Sequence, residues 1–559
     1  MDKEKIQEFL NQDIAFGNRK LKNKAFLIAM AVIVLALVLV CIKSESYIGG
    51  VSHAAIAYTD DENGNLVRTY SDARGTRVKK LGKSIDHDGM KLELVETESG
   101  TYYIDASALT SRNNVVQEKE VYVRTPVTVY ANEDGPQIAS YMAKGSKLAV
   151  LDYDELQENG YIHKYKVSYT DSTGNSGEGF IYGKYVEGTQ EEADANYNSN
   201  GEFDKAKKAK YSFNLYGGKA TNLDYYPYEK TPIDGKEFCE NARTMYLNTY
   251  AAVHPEDYLD VVKKSGCNAV CIDIKDGSLT YKSEVAKEVS SHAYKEGYVS
   301  AEEFQKSVKA YKDTGVYTIG RIVVFNDTRY AKDHPEDCIK APSMTKGWPS
   351  AYSRKVWEYN VRLAQEAVEL CGFDEIQFDY VRFPESSYEL SKSGKANFRN
   401  KYKEDKCQAI QNFCFYAADQ LREVGAYISV DVFGESTYGY VTAYGQYWPA
   451  LSNIVDALSA MPYTDHTGGE GAWTRPYQTV YNWAKTCARS QEHLSNPAKA
   501  RTWITGYDTP YWNPTIDCNE KYLKKQIKGL TDAGLDGGFI PWNVISNLEK
   551  YNSYINIWK

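Results

Sequence analysis

The chain has 559 residues, 42% of them hydrophobic and 25% charged, with a formal net charge of −9. That length exceeds one ordinary domain, the apolar content supports folded cores, and the acidic balance argues against a nucleic-acid partner. Tyrosine is abundant at 48 copies, beside nine tryptophans, which suits either sheet packing or a surface that stacks on sugars.

Residues 1–24 form a polar tail, expected in the cytoplasm. Ala25 to Ile42 is an unbroken apolar run of 18 residues. As a helix it spans about 27 Å, close to the hydrocarbon thickness of a bilayer. Arg19, Lys20, Lys22 and Lys24 precede it, so the positive-inside rule places the remainder of the chain outside. No small-residue cleavage site directly follows the run, and an uncleaved single-pass anchor is expected rather than a cleaved signal. Nine of the ten cysteines lie beyond this run and none forms a CxxC pair. They are expected to be mostly free thiols.

Residues 43–60 form a spacer. From 61 to 188 short alternating strands are separated by Gly and Asp/Asn turns, as in Val127–Tyr130, Tyr161–Tyr169 and Gly179–Tyr182. The pattern predicts one or two small β barrels. Val127-Thr-Val-Tyr130, Lys144-Gly-Ser-Lys-Leu148 and Gly179-Phe-Ile-Tyr-Gly-Lys-Tyr-Val186 resemble bacterial SH3-like (SH3b) domains over 119–188. A fainter copy covers 61–118, from Gly75-Thr-Arg-Val78 to Gly100-Thr-Tyr-Tyr-Ile-Asp-Ala-Ser107. The resemblance implies binding to cell-wall peptidoglycan; a plain spacer role stays open. Residues 189–240 have linker-like composition, although Tyr211–Tyr228 carries aromatics enough to pack on the C-terminal domain.

From 241 to 559 one unit recurs. A helical stretch ends in Gly, an apolar strand follows, and Asp273, Arg321, Asp379 and Asp431 stand six or seven residues past Gly266, Gly315, Gly372 and Gly425. A fifth copy runs from Gly534 to Pro541-Trp542-Asn543. A Gly just past a helix supplies its left-handed cap, and the repeat predicts helices alternating with parallel strands. Strand candidates are Thr244–Tyr250, Ala269–Lys275, Tyr317–Phe325, Glu375–Arg382, Tyr427–Phe433, Val455–Met461, Thr502–Tyr507 and Gly538–Trp542. The expected fold is a (β/α)₈ TIM barrel, whose active site lies at the C-terminal strand ends.

Charges repeated at one height in buried strands need a reason. Asp379 is the candidate nucleophile or transition-state stabiliser. Asp431 and, in the loop after Gly434, Glu435 are candidates for the general acid, with Asp431 ranked first. Adjacent strands lie about 4.8 Å apart, so such carboxylates fall within the separations that glycoside hydrolysis uses. The alternative is a buried ion network in which Arg321 or Arg382 merely neutralises the acids. Asp273 and Lys275 share a face and are candidates to bind sugar hydroxyls, or else to satisfy each other. Arg321, Asn326, Tyr380, Arg382, Tyr463, Trp542 and Asn543 complete the substrate-binding candidates.

The stretches Asn268-Ala-Val-Cys-Ile-Asp-Ile-Lys-Asp276, Phe378-Asp-Tyr-Val-Arg-Phe-Pro384, Ser429-Val-Asp-Val-Phe-Gly434, Gly445-Gln446, Met461-Pro-Tyr463 and Pro541-Trp-Asn543 resemble the bacterial TIM-barrel family named putative glycoside hydrolase domain. The resemblance covers nearly all of 241–559 and implies a carbohydrate substrate. Thr505 departs from it, standing where Gln is expected, which puts one substrate contact in doubt. No HExxH, Walker loop or dinucleotide fingerprint occurs, and histidine is scarce, so neither a cofactor nor a metal is expected. These readings describe a membrane-anchored extracellular glycosidase with polysaccharide or peptidoglycan as partner. A non-catalytic polysaccharide-binding protein is the alternative, and a structural assembly factor a third.

Overall fold

The computed structural model describes residues 3–16, 19–32, 45–50, 53–196, 216–508 and 511–559. Contacts divide the chain into two compact units, one of 1–122, 147–168 and 181–190, the other of 123–146, 169–180 and 191–559. Of the apolar run Ala25–Ile42, residues 25–32 are helical and 33–42 lie outside the described residues, as do 211–215 of the aromatic stretch Tyr211–Tyr228. Among the described residues no helix is long and apolar enough to cross a membrane.

The first unit is mainly antiparallel β. Seven strands between Ser46 and Thr110 form one sheet. Ser46–Ile48 and Ala54–Asp60, within the stretch read as a spacer, belong to it. Ile48, Ala57, Val78, Val95 and Ile104 are its core, the inward positions of strands that alternate. Glu120–Val123, Lys147–Tyr153 and Lys164–Thr170 pair antiparallel in turn. Arg74 is buried in this unit, donating to Gly160 O at 2.9 Å and pairing with Glu118. These features establish an all-β region without assigning its family.

In the second unit a parallel barrel dominates. Its strands are β1 (Ala242–Leu247), β2 (Ala269–Asp276), β3 (Tyr317–Val323), β4 (Glu375–Asp379), β5 (Tyr427–Phe433), β6 (Ala457–Met461), β7 (Lys499–Ala500), β8 (Thr502–Thr505) and β9 (Gly538–Trp542). Neighbours pair in chain order from β1 to β7, and β8 pairs with β9, which pairs with β1. The seventh strand position is split at Arg501: β7, ahead of the expected Thr502–Tyr507, pairs with β6, and β8, within it, pairs with β9. The ladder therefore runs round the barrel from one half of that strand to the other.

The helices include α1 (Pro255–Ser265), α2 (Ala301–Lys312), α3 (Arg354–Cys371), α4 (Lys406–Glu423), α5 (Trp448–Ser452), α6 (Pro476–Ser490), α7 (Glu520–Asp532) and α8 (Leu548–Ser553), with further short helices in the loops. Ser300 opens α2 with a capping box, satisfying two backbone donors reciprocally. Gly266, Gly315, Gly372, Gly425 and Gly534 all have positive φ. The recurring glycines thus turn each chain segment from helix into strand where a Cβ would be strained. Residues 216–240, read as linker, pack on the barrel. Tyr228 donates to Asp419 at 2.8 Å, and Lys236 Nζ reaches the carbonyls of Phe373 and Gly425 at 2.9 and 2.7 Å.

Inward side chains form layers, as barrel geometry requires. At the N-terminal end Arg501 donates to Glu375 at 2.5 Å, and both are fully buried. Tyr317 and Ser429 donate to the same carboxylate. Gln377 lies above, accepting from Cys271 Sγ at 3.2 Å and donating to Ser459 at 3.0 Å. The charged layer at the C-terminal end lies above that.

Breaking one partner of a buried ion pair strands the other, at a cost of about 3–5 kcal/mol. Glu375→Gln is expected to destabilise the barrel by that amount in denaturant titration. The double replacement Glu375→Leu with Arg501→Met is expected to recover most of it.

Candidate active site

Arg321, on β3, is the centre of the upper layer. Its Nη1 donates to Asp273 Oδ1 of β2 at 2.7 Å and reaches Asp276 Oδ2 at 3.3 Å. Its Nη2 donates to Asp379 Oδ2 of β4 at 2.5 Å. Its Nε stands 3.7 Å from Asp431 Oδ2 of β5. Tyr246 of β1 donates to Asp273 Oδ2 at 2.5 Å, and Trp503 Nε1 of β8 donates to Asp431 Oδ1 at 2.8 Å. The rings of Tyr246 and Trp542 lie 5.8 and 5.7 Å from the guanidinium carbon.

One guanidinium serves four carboxylates, and the two buried deepest, Asp273 and Asp431, hold a proton more tightly than a free aspartate does. Burial pushes the Asp273 carboxyl up to about 6 against the pull of Arg321. Burial, and next the charge of Asp379, hold the Asp431 carboxyl well above the usual range. Burial opposes the charge on Arg321, but Asp273 and Asp379 keep the guanidinium protonated.

Above this layer opens a cavity of about 880 Å³, within the range of small-molecule sites. Its acids are Asp276, Asp379, Glu385 and Glu435, and its cations are Arg321 and Arg382. Tyr380, Tyr463, Trp503 and Trp542 give it aromatic walls. Arg382 is held in a ring cage, 4.5 Å from the centre of Phe433 and 4.7 Å from that of Tyr380, with Glu385 at 3.0 Å.

The structure separates the two ranked acids. Pairing of Phe378 with Val430 sets Asp379 level with Asp431. However, β4 ends at Asp379, where Tyr380 turns to φ 53°, while β5 continues to Phe433. Asp379 therefore lines the cavity, and the buried Asp431, which accepts from Trp503, does not. Glu435 follows in a one-turn helix, Gly434–Thr437, and lines the cavity with the Tyr444 hydroxyl donating to it.

Lys275 does not share the face of Asp273. A bulge between them, with Asp273 opposite Arg321 and Lys275 opposite Ile322, inverts the alternation. Lys275 Nζ points to the helix layer, donating to Asp327 at 2.7 Å and Asn360 at 2.6 Å. Asn326 does not line the cavity. Neither does Asn543, whose amide is engaged by Asn547 O and N at 3.1 Å. Thr505, the residue standing in place of Gln, accepts from Thr464 N at 2.9 Å.

Trp503 is a cavity residue that sequence reasoning left off the site; Asp276, just past the expected second strand, also lines the cavity. Among the described residues, His334, Glu336 and Asp337 alone group as metal-ligand types. None of them lines the cavity, and Asp337 already accepts from Tyr330 and Ser353.

A sequence model described as Putative glycosyl hydrolase domain matches residues 244–548. Among solved structures, a hypothetical protein from Ruminiclostridium thermocellum ATCC 27405 is similar at 30% identity, over 34% of this chain and 97% of that one, with a TM-score of 0.28. The PgaB (BpsB) glycoside hydrolase domain from Bordetella bronchiseptica is similar at 12% identity, over 57% and 99%, with a TM-score of 0.41. The Bacillus cereus spore cortex-lytic enzyme SleL is similar at 10% identity, over 57% and 75%, with a TM-score of 0.35. No curated protein matches.

A carboxyl whose pKa rises on folding binds its proton more tightly in the native state. Its stabilisation is complete below the unfolded value, about 3.9 for Asp, and is lost as pH rises through the folded value. For Asp273 that window runs from there to about 6, and for Asp431 it extends higher. Asp431→Asn keeps an acceptor for Trp503 and removes the titration. Its melting temperature at pH 7 is expected to equal or exceed wild type, with a shallower decline from pH 4 to 7. A marked fall at pH 7 would instead mean an ionised Asp431 that needs Arg321.

Proposed function

The chain belongs to the putative glycosyl hydrolase domain family, and from that premise we propose that its barrel hydrolyses a glycosidic bond in a cell-wall or surface polysaccharide. The observation that carries the reading is that Asp379 and Glu435 line one aromatic-walled cavity at the C-terminal strand ends. Asp379, held by Arg321, faces the anomeric carbon as nucleophile or as stabiliser of its developing positive charge. Glu435 delivers a proton to the leaving oxygen as the bond to that oxygen breaks. Water supplies the hydroxyl that ends on the anomeric carbon and returns a proton to the carboxylate pair. Tyr380, Tyr463 and Trp542 pack on the sugar, and Asp276 accepts from its hydroxyls. Asp431 and Asp273 act through Arg321, fixing its fork beneath Asp379. No cofactor enters this scheme.

The same reading keeps the protein on the membrane through Ala25–Ile42, with the barrel outside. The support is the apolar run and its basic flank. A reporter fused after residue 60 and active only beyond the membrane tests that placement; activity only in the cytoplasm would refute it.

One observation favours a binding protein without turnover: Arg321 and the backbone N–H of Tyr380 both engage Asp379, each at 2.5 Å. Release of reducing ends from purified wall polysaccharides separates the two readings. Asp379→Asn and Glu435→Gln are each expected to lower it by about 10²–10⁴-fold while glycan binding persists. Asp431→Asn, acting only through Arg321, is expected to lose less than about tenfold on the same scale. Wild-type binding with no release at all would leave the binding reading.

A further inference from the structure

Beside the main cavity lies a second hollow of about 250 Å³. The two share a wall made by Tyr438, Thr467 and Gly468. Gln478, Asn482 and Thr486, at the four-residue spacing that aligns side chains on one face of α6, form the other side together with Arg475, the residue that caps that helix. Buried Trp483 also lines the hollow, and its indole donates to Gly434 O at 2.9 Å. The hollow is thereby tied to the backbone that carries Glu435. The shared wall is thin for a reason: Gly468 has φ +89°, and a Cβ there would stand 3.2 Å from both Ala472 and Thr479.

The two spaces differ in charge. Four acids line the main cavity and its cations are already engaged, Arg321 by aspartates and Arg382 by Glu385. No acid lines the hollow, and Arg475 is its cation. Among the described residues the Arg475 side chain has no hydrogen bond or ion pair to another protein group. A guanidinium fork matches two oxygens of a carboxylate or phosphate. Gln478 Nε2 donates to Asn482 Oδ1 at 2.7 Å, which leaves an amide oxygen and an amide NH₂ for sugar hydroxyls.

We propose that this hollow is a subsite for a sugar unit bearing an anionic group, carboxylate or phosphate, adjoining the unit held in the main cavity. The proposal rests on the glycosidase reading and refines its substrate: the polysaccharide is anionic, and its charge lies away from the scissile bond. An anion in the main cavity would meet Asp276, Asp379 and Glu435; one unit along it meets Arg475.

Binding is measured on the full chain carrying Glu435→Gln, so that no probe is consumed. The probes are glycan strands bearing lactyl carboxylates, the same strands after reduction of those carboxyls to alcohols, and a glycerol-phosphate oligomer. Carboxylated strands are expected to bind about 10–100-fold more tightly than reduced ones. Adding Arg475→Ala removes that preference without changing the affinity for reduced strands, and Arg475→Lys retains part of it. Tight binding of the phosphate oligomer instead, lost in Arg475→Ala, identifies phosphate as the group read. Equal binding of all three probes, or a preference that survives Arg475→Ala, overturns the proposal. Hydrolysis by the unmodified chain is scored separately. Charge-selective binding without cleavage retains the subsite and removes the hydrolase. Glu435-dependent cleavage with no charge preference does the reverse.

Discussion

A single guanidinium organises the mouth of the barrel. Arg321 reaches carboxylates from β2, β4 and β5, and aromatic rings from β1 and β9 face it. Strand ends that the chain brings together from nearly 300 residues of sequence thus share one charged anchor. Burying such an ion is tolerable only because several acids surround it, and those acids stay buried only because it is there. Burial raises the proton affinity of the deeper carboxyls, Asp273 and Asp431, while Asp379, at the surface of the layer, faces the cavity.

Much of this barrel was legible in the sequence because its cause is local. A glycine after a helix and an apolar run after the glycine are chain-adjacent signals. Gly266, Gly315, Gly372 and Gly425 each turn the chain into a strand whose upper end holds Asp273, Arg321, Asp379 or Asp431. The ion network and the cavity, offered as alternatives from sequence, coexist: Arg321 engages Asp379 while Asp379 still lines the opening.

What was not legible depends on single-residue departures from regular alternation. The bulge that sends Lys275 outward leaves the apolar pattern of β2 intact, since both faces of a barrel strand are buried. The depth difference between Asp379 and Asp431 arises from where each strand stops, and strand ends are the least determined feature of any sequence pattern. Segment 216–240 has the composition of a linker; the packing expected of its aromatics is seen at Tyr228, whereas the Lys236 contacts with the Phe373 and Gly425 carbonyls carried no periodic signal.

The kink at Tyr380 reaches beyond its own residue. A non-glycine residue at φ 53° is held in a sparsely populated backbone state. That kink directs the peptide N–H back onto the preceding Asp379 and swings the following residues sideways into the cavity rim. The chain's most distinctive heptapeptide, Phe378 to Pro384, is thereby a mechanical elbow as much as a set of reactive groups. Its conformation fixes where the carboxylate, the phenol ring and the Arg382 cage stand relative to one another before any sugar arrives.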